Sequence, residues 1–512
     1  MVEEEAWVRP LSPGEVVHEI GQAKHQHQLC CYRLGLCSAE ALMEDQITSA
    51  LSALFRTCPH LRLCIVERGG ELWFRNMAQE SVDFSISSNT NAAEEIERQV
   101  TTSFVSSKGP VWRAVWLPFV EYVEDTEAEA EKNTSLPVEK TDKKTRANSK
   151  NSECQEKVAV DGVSRHWLPE VAEQFSHTST LLLTFHHSIT DGFTSLKTCE
   201  QLISLLNVTA CAGKVPNCSQ QIGEFSDGAE TIRLVQERNA FLEKQPKLRE
   251  MIERDIARIS QFRSIFTDTF PISPEEQRNR TSSIVRRLSK DQTQKLMKFF
   301  REENIRFNSG FIALVNLTLV EMLKKKGVKQ RLFEICSFNA INMRRYWNGD
   351  SSRALGCHFG PISLVMDTAS SSVHQFLEYA HDVQTNMLDY IAQHRALDEC
   401  LFLDVKRGTN HSNMDEFFAS PPLHPQFWYS LTNMGEVSSL LQGLGDKVQL
   451  GWISRHNSFH RYNSTFVFAV HTYRKRLYFT MDFNARLLSK NVAEDVIATL
   501  TNLMFDIVRQ MS

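Results

Sequence analysis

Thr180-Leu181-Leu182-Leu183-Thr184-Phe185-His186-His187-Ser188-Ile189-Thr190-Asp191-Gly192 is the stretch on which the reading of this chain turns. Residues 180–185 are a continuous apolar run of strand length, the pattern of a strand buried on both faces. Beyond Gly192, Leu196, Cys199, Leu202, Ile203 and Leu206 recur at helical spacing. The two histidines therefore lie on a strand-to-helix turn. A histidine there, at a turn loosened by Gly192, can reach a channel while its backbone is held rigidly. Imidazole titrates near neutrality and suits the removal of a proton from an attacking hydroxyl or amine. Asp191, four residues on, can orient a neighbour or pair with an arginine. An isolated His-His pair is usually inconsequential, but His-His-x-x-x-Asp-Gly fixes four positions and arises by chance in roughly one in a thousand chains of this length.

Working outward, a helix is expected behind Ser38 as N-cap, with Leu42, Met43, Ile47, Leu51, Leu54 and Phe55 on its inner face. Pro59 ends it. Residues 61–66 and 71–74, split by Gly69-Gly70, read as a hairpin, and residues 111–120 as a further strand. At residues 121–178 an acidic run, Glu124 to Glu131, gives way to a basic one, Lys140 to Lys150, with almost no large apolar residue before Val158. Such a stretch buries too little to offset its ordering entropy, and a dispensable, disordered insertion is expected. Downstream of the motif helix comes a charged helical stretch over about 230–266, then a proline-bearing linker over 267–280. Residues 283–288 read as a strand, and Ser289-Lys290-Asp291-Gln292 as a capping box. A core helix over 309–326 follows. Strands are expected around 333–338, 361–366, 427–432, 465–471 and 477–483, and a closing helix over 493–511. The layout is a lobe over 1–210 carrying the motif, a helical bridge and linker over 211–280, and a second lobe over 281–512.

Composition removes several function classes. A net charge of -5 over 512 residues gives no broad electrostatic footprint for nucleic acid. Met1-Val2-Glu3-Glu4-Glu5 is acidic where a secretory signal is basic, so a cytoplasmic location is expected. The longest apolar stretch, within 311–323, is interrupted by Asn316, Thr318 and Glu321 and is too short for a membrane span. The 12 cysteines form no C-x-x-C pair or zinc-spaced cluster, and they read as reduced, small hydrophobes. No metal is expected. No G-x-S-x-G elbow supports a hydrolase.

The motif resembles the signature of the thioester-dependent acyltransferase superfamily, which includes chloramphenicol acetyltransferase, condensation domains of non-ribosomal peptide synthetases, plant acyl-CoA transferases, fungal alcohol acetyltransferases and mycobacterial polyketide-associated acyltransferases. Other landmarks follow the family's order. Pro10 to Glu15 looks like the opening segment, Cys58-Pro59-His60-Leu61-Arg62 like the "hPxLR" turn, and Gly109-Pro110-Val111-Trp112-Arg113 like the strand before the motif strand. Asn342-Met343-Arg344-Arg345 with Ala354-Leu355-Gly356 resembles the "xxR...lGn" region, and Ser430-Leu431-Thr432-Asn433-Met434-Gly435 the "sSnxG" strand. The plant branch's DFGWG box is missing, and the charged insertion lies outside the family pattern.

The resemblance implies a chloramphenicol acetyltransferase-like fold of class α/β, a two-lobed pseudo-dimer of mixed sheets flanked by helices, with a tunnel between the lobes. It implies His187 as the general base, His186 and Gly192 as architectural, and Asp191 in an ion pair, with Arg344 the candidate partner and Arg345 the alternative. Ser430, Thr432 and Asn433 are the candidates for stabilising the oxyanion. The implied reaction moves an acyl group from acyl-CoA, a co-substrate, to a small-molecule or lipid alcohol or amine by direct attack in a ternary complex. No bound cofactor enters, and a monomer is expected. The competing readings are a condensation-type enzyme using a carrier-bound thioester, and a non-catalytic scaffold that keeps the fold.

Overall fold

The computed structural model describes residues 6–118, 175–213, 220–370, 375–407, 411–420 and 422–510. The charged insertion expected at 121–178 lies outside these residues apart from its last four. The apolar run at 180–185 extends into the strand His177–His186, buried over its last seven positions. This strand is central in a five-stranded sheet ordered Val448–Asn457, Leu29–Ser38, His177–His186, Trp112–Leu117 and Phe84–Ile86. Leu29–Ser38 shows no alternation because nine of its ten residues are buried, so both of its faces meet protein.

Val448–Asn457 reaches this sheet from far along the chain. It runs antiparallel to Leu29–Ser38 and sets Arg455 opposite Tyr32 and Asn457 opposite Cys30. The second large sheet has six strands, ordered Phe359–Ala369, Leu332–Asn342, Tyr429–Glu436, Phe466–Tyr473, Arg476–Asn484 and Thr281–Arg287. Behind it runs the helix Phe307–Lys325, buried at every residue from 309 to 320, as a helix sunk in the core must be. Phe311 packs edge-on against Phe468 of the sheet. Two mixed sheets, each covered by helices, give the two-lobed α/β architecture expected from the sequence. No helix among the described residues is long and apolar enough to cross a membrane.

Local expectations fare unevenly. Ser289 caps Lys290–Glu302 in a reciprocal capping box with Gln292. Ser38 caps nothing: it ends the strand Leu29–Ser38, and the helix begins at Glu44, where Gln46 Oε1 accepts from the Met43 N–H at 2.9 Å. The charged stretch after residue 230 is two helices, Ala229–Glu243 and Pro246–Ile259, because Pro246 can open a helix but not continue one.

The pairing of Val448–Asn457 with Leu29–Ser38 includes one close approach. A Cβ at Gly35 would lie 2.2 Å from Nε1 of Trp452, and the Arg33 guanidinium covers the same indole at 4.5 Å. The indole is thus held from two sides. Gly35→Val should lower stability by about 1–3 kcal/mol through overpacking, read as a lower urea midpoint, and adding Trp452→Val should recover part of it. An unchanged midpoint in the single variant would contradict this strand pairing.

Candidate active site

At the end of the motif strand the backbone leaves the sheet in a single 3-10 turn, His187–Ile189, before the helix Gly192–Ala212. This turn sends the two histidines to different places. His186 is fully buried: its Nε2 meets Glu19 Oε2 at 2.8 Å, and its Nδ1 accepts from the Ser188 N–H at 3.0 Å. It pins the turn to the helix Pro13–His25. His187, only partly buried, faces a cavity of about 1050 Å³ whose wall comes from both large sheets.

Asp191 carries the turn's connections. As N-cap, its Oδ1 accepts from the Thr194 N–H at 2.9 Å. Its Oδ2 accepts from Arg344 Nη1 at 2.6 Å and from the His358 N–H at 3.0 Å. Both Asp191 and Arg344 are buried, and Arg344 also stacks over Phe193 at 4.6 Å. Burial raises the Asp191 pKa, but Arg344 and the hydrogen bonds outweigh it and hold the carboxyl below its ordinary value. Arg345, the alternative partner, has no ion pair with Asp191 among the described residues. Gly192 opens the helix, and a Cβ there would meet Met434 at an ordinary 3.4 Å. Its place on the cavity wall, not backbone freedom, is what the position shows.

The same ion pair fixes a loop of the second lobe. Thr194 Oγ1 donates to the Gly356 carbonyl at 2.9 Å and accepts from the Gly356 N–H at 3.0 Å. Gly356 has φ +129°, a conformation open to glycine and strained for other residues. Between Gly356 and His358 this loop presents Cys357 to the cavity, its Sγ 3.6 Å from His187 Nδ1 and 3.9 Å from His18 Nε2. The His18 ring lies against that of His187, centroids 4.8 Å apart and planes 12° from parallel.

The other nitrogen of His187 faces inward. Cys30, on the neighbouring strand, is hydrogen-bonded to His187, and Arg455 Nη2 donates to Cys30 Sγ at 3.4 Å. Arg455 also lies 3.5 Å from His187 Nε2, is 4% exposed, and has no carboxylate ion pair among the described residues. A buried guanidinium without a carboxylate is costly, and Arg455 has the Cys30 sulfur as acceptor, the same sulfur lying 3.6 Å from Asn457 Oδ1. Burial pushes the Cys30 thiol up, but His187 and Arg455 outweigh it and bring it down to about 7. Burial pulls His187 down, and the Cys30 and Cys357 thiols outweigh that and push it well above the ordinary imidazole range. Nε2 thus faces the Arg455 guanidinium, and Nδ1 meets Cys357 Sγ at the cavity wall.

Ser430, Thr432 and Asn433, on Tyr429–Glu436, line the same cavity. Ser430 Oγ is 2.8 Å from Ser464 Oγ, and Asn433 Nδ2 donates to Asn308 at 3.1 Å, whereas Thr432 has no hydrogen-bond partner for its hydroxyl among the described contacts. His18, Cys30, Cys357 and Arg455 were not singled out from the sequence. Only Cys357 left a signal, because it stands where the "lGn" pattern has its last residue. His18, His187 and Cys357 place three possible metal-ligand atoms within 4.8 Å of one another. Bonds from imidazole lie in the ring plane, so the near-parallel rings disfavour a shared ion.

No family model matches the chain, and no curated protein matches its sequence. Solved structures do match in fold. Polyketide synthase associated protein 5 from Mycobacterium tuberculosis aligns over 99% of this chain and 100% of its own, at 12% identity and a TM-score of 0.59. The trichothecene 15-O-acetyltransferase of Fusarium sporotrichioides covers 97% of this chain and 94% of its own, at 10% identity and TM-score 0.61. The condensation domain of the monacolin K polyketide synthase covers 98% of this chain and 97% of its own, at 12% identity and TM-score 0.59. At these identities the likeness establishes the fold over the whole chain.

Removing the Asp191 charge should be felt first in stability. Asp191→Asn strands Arg344 and should cost about 3–5 kcal/mol in urea unfolding at neutral pH. Because the folded carboxyl is held below its ordinary value, this contribution is complete above about pH 4 and fades as pH falls further. The wild-type and variant midpoints should therefore converge in acid. A variant as stable as wild type at neutral pH would contradict a structural role for the pair.

Proposed function

We propose that this chain is an acyltransferase that moves an acyl group from a CoA thioester to an alcohol or amine, with His187 as general base. The observation that carries the reading is the placement of His187 on the wall of a large cavity lined by both sheets, with Cys30, Cys357 and Arg455 against its ring. A general base needs a free lone pair at the reacting atoms and a partner that fixes its tautomer. Cys30 and Arg455 supply the second requirement. The cavity, about 1050 Å³, has room for an acyl-pantetheine arm beside an acceptor.

In this reading the acceptor's proton goes to Nδ1 as its oxygen or nitrogen attacks the thioester carbonyl, and then to the departing thiolate. Negative charge develops on the carbonyl oxygen, and the Thr432 hydroxyl on the facing strand is the best-placed candidate to donate to it, since Ser430 and Asn433 have partners of their own. Acyl-CoA is consumed as co-substrate, and the steps call for no bound cofactor. The acetyltransferase and condensation domains among the structural neighbours lend the reading support through the shared fold.

The test is thiol release from acetyl-, hexanoyl- and palmitoyl-CoA in the presence of alcohols and amines, with products identified by mass. His187→Ala should reduce turnover by about 100- to 10,000-fold with little change in melting temperature, whereas His186→Ala should act mainly on melting. The pH dependence carries a second signature. A base must be neutral to work, and His187 is raised, so the rate should climb with pH through a midpoint above the ordinary value of about 6.5. Cys30→Ser removes the main raising influence and leaves burial opposed only by Cys357, so its midpoint should fall below that of wild type. Full turnover in His187→Ala would refute the assignment.

A further inference from the structure

Resting on that reading, we propose that Cys357 is a covalent acyl acceptor, so that the acyl group passes from the donor thioester to the Cys357 sulfur and only then to the final acceptor. This replaces the direct attack in a ternary complex that the family resemblance implies.

Three independent observations meet at this thiol. Its sulfur lines the cavity and lies 3.6 Å from His187 Nδ1. The base is also held by groups other than Cys357: Arg455 Nη2 lies 3.5 Å from its Nε2 and donates to Cys30, a further partner of the ring. A thiol against an imidazole that has partners of its own is the arrangement that activates cysteine nucleophiles elsewhere. Finally, the loop bearing Cys357 is fastened on both sides, Gly356 to Thr194 and His358 to Asp191, so the sulfur is held in place relative to the motif. A cysteine that only fills space is inert and sits among apolar groups. Cys357 instead has imidazoles of His187 and His18 against its sulfur.

The chemistry balances without an added reagent. Cys357 gives its proton to neutral His187 Nδ1, and the thiolate attacks the donor carbonyl. The carbon–sulfur bond to CoA breaks, and the leaving thiolate takes the proton from Nδ1. One thioester has replaced another. In the second half the acceptor gives its proton to Nδ1 and attacks the acyl-cysteine, and the Cys357 thiolate is released and takes that proton back. Burial pushes the Cys357 thiol up, with His187 partly offsetting, so the resting group is the thiol and the step needs the base.

The test uses the full chain with acetyl-, hexanoyl- and palmitoyl-CoA and no acceptor, quenched in acid and examined by intact mass and peptide mapping. The proposal expects a burst of up to one equivalent of CoA and one acyl group on Cys357, absent in Cys357→Ala and in His187→Ala. A second measurement does not depend on the donor: iodoacetamide should alkylate Cys357 at least tenfold faster in wild type than in His187→Gln, with the exposed Cys211 as reference thiol. If Cys357→Ala, shown to be folded by melting, transfers acyl groups at the wild-type rate while His187→Ala does not, the relay is overturned and the base assignment stands. If Cys357 acquires the acyl group but no acceptor relieves it, the relay stands and the transferase reading falls. Alkylation of Cys357 no faster than in His187→Gln, together with no adduct from any of the three donors, would overturn the relay as well.

Discussion

The contact between Asp191 and Arg344 is the constraint on which the site depends. A carboxylate in the first lobe caps a helix with one oxygen and, with the other, accepts from a guanidinium and a backbone amide of the second lobe. Two buried charges are tolerable only when fully paired, so the lobes are held in a single relative position wherever this pair is made. That position brings the end of the motif strand against the Gly356 loop, so that His187 and Cys357 meet at the wall of one cavity.

Within that frame, His187 is set by an unusual choice of partner. A carboxylate beside an imidazole is the common way to fix its tautomer, and here the ring meets the Cys30 thiol and the Arg455 guanidinium. With its thiol brought down to about 7, Cys30 is a softer partner than a carboxylate, since its charge comes and goes around neutrality. The strand Val448–Asn457 is essential to it: only its crossing into the first sheet brings Arg455 beside Cys30 and Tyr32. This explains why the two halves cannot be treated as separate units joined by a bridge. The second half of the chain builds part of the first sheet.

Much of this was legible in the sequence, and the limits have physical causes. The motif strand and helix, the capping box at Ser289 and the core helix announce themselves by local pattern, because their neighbours in space are also neighbours in sequence. Asp191 and Arg344 could be paired only through the resemblance. Leu29–Ser38 was missed because a strand buried on both faces does not alternate, and Val448–Asn457 because its partner lies some four hundred residues away. Cys30 and Cys357 read as small hydrophobes for the same reason: what makes a thiol reactive is the imidazole or guanidinium beside it, and sequence separations of 157 residues or more hide these neighbours.

If His187 and Cys357 act as proposed, the reacting carbonyl lies in the cavity beside Cys357 Sγ and within reach of His187 Nδ1. A crystal structure of the full chain with a non-hydrolysable acyl-CoA thioether would test this most directly. The account expects the thioether sulfur and the adjoining acyl carbon within contact of both His187 Nδ1 and Cys357 Sγ, with Cys30 and Arg455 still behind the ring. Analogue bound outside this cavity, or inside it with its sulfur remote from His187, would contradict the central claim.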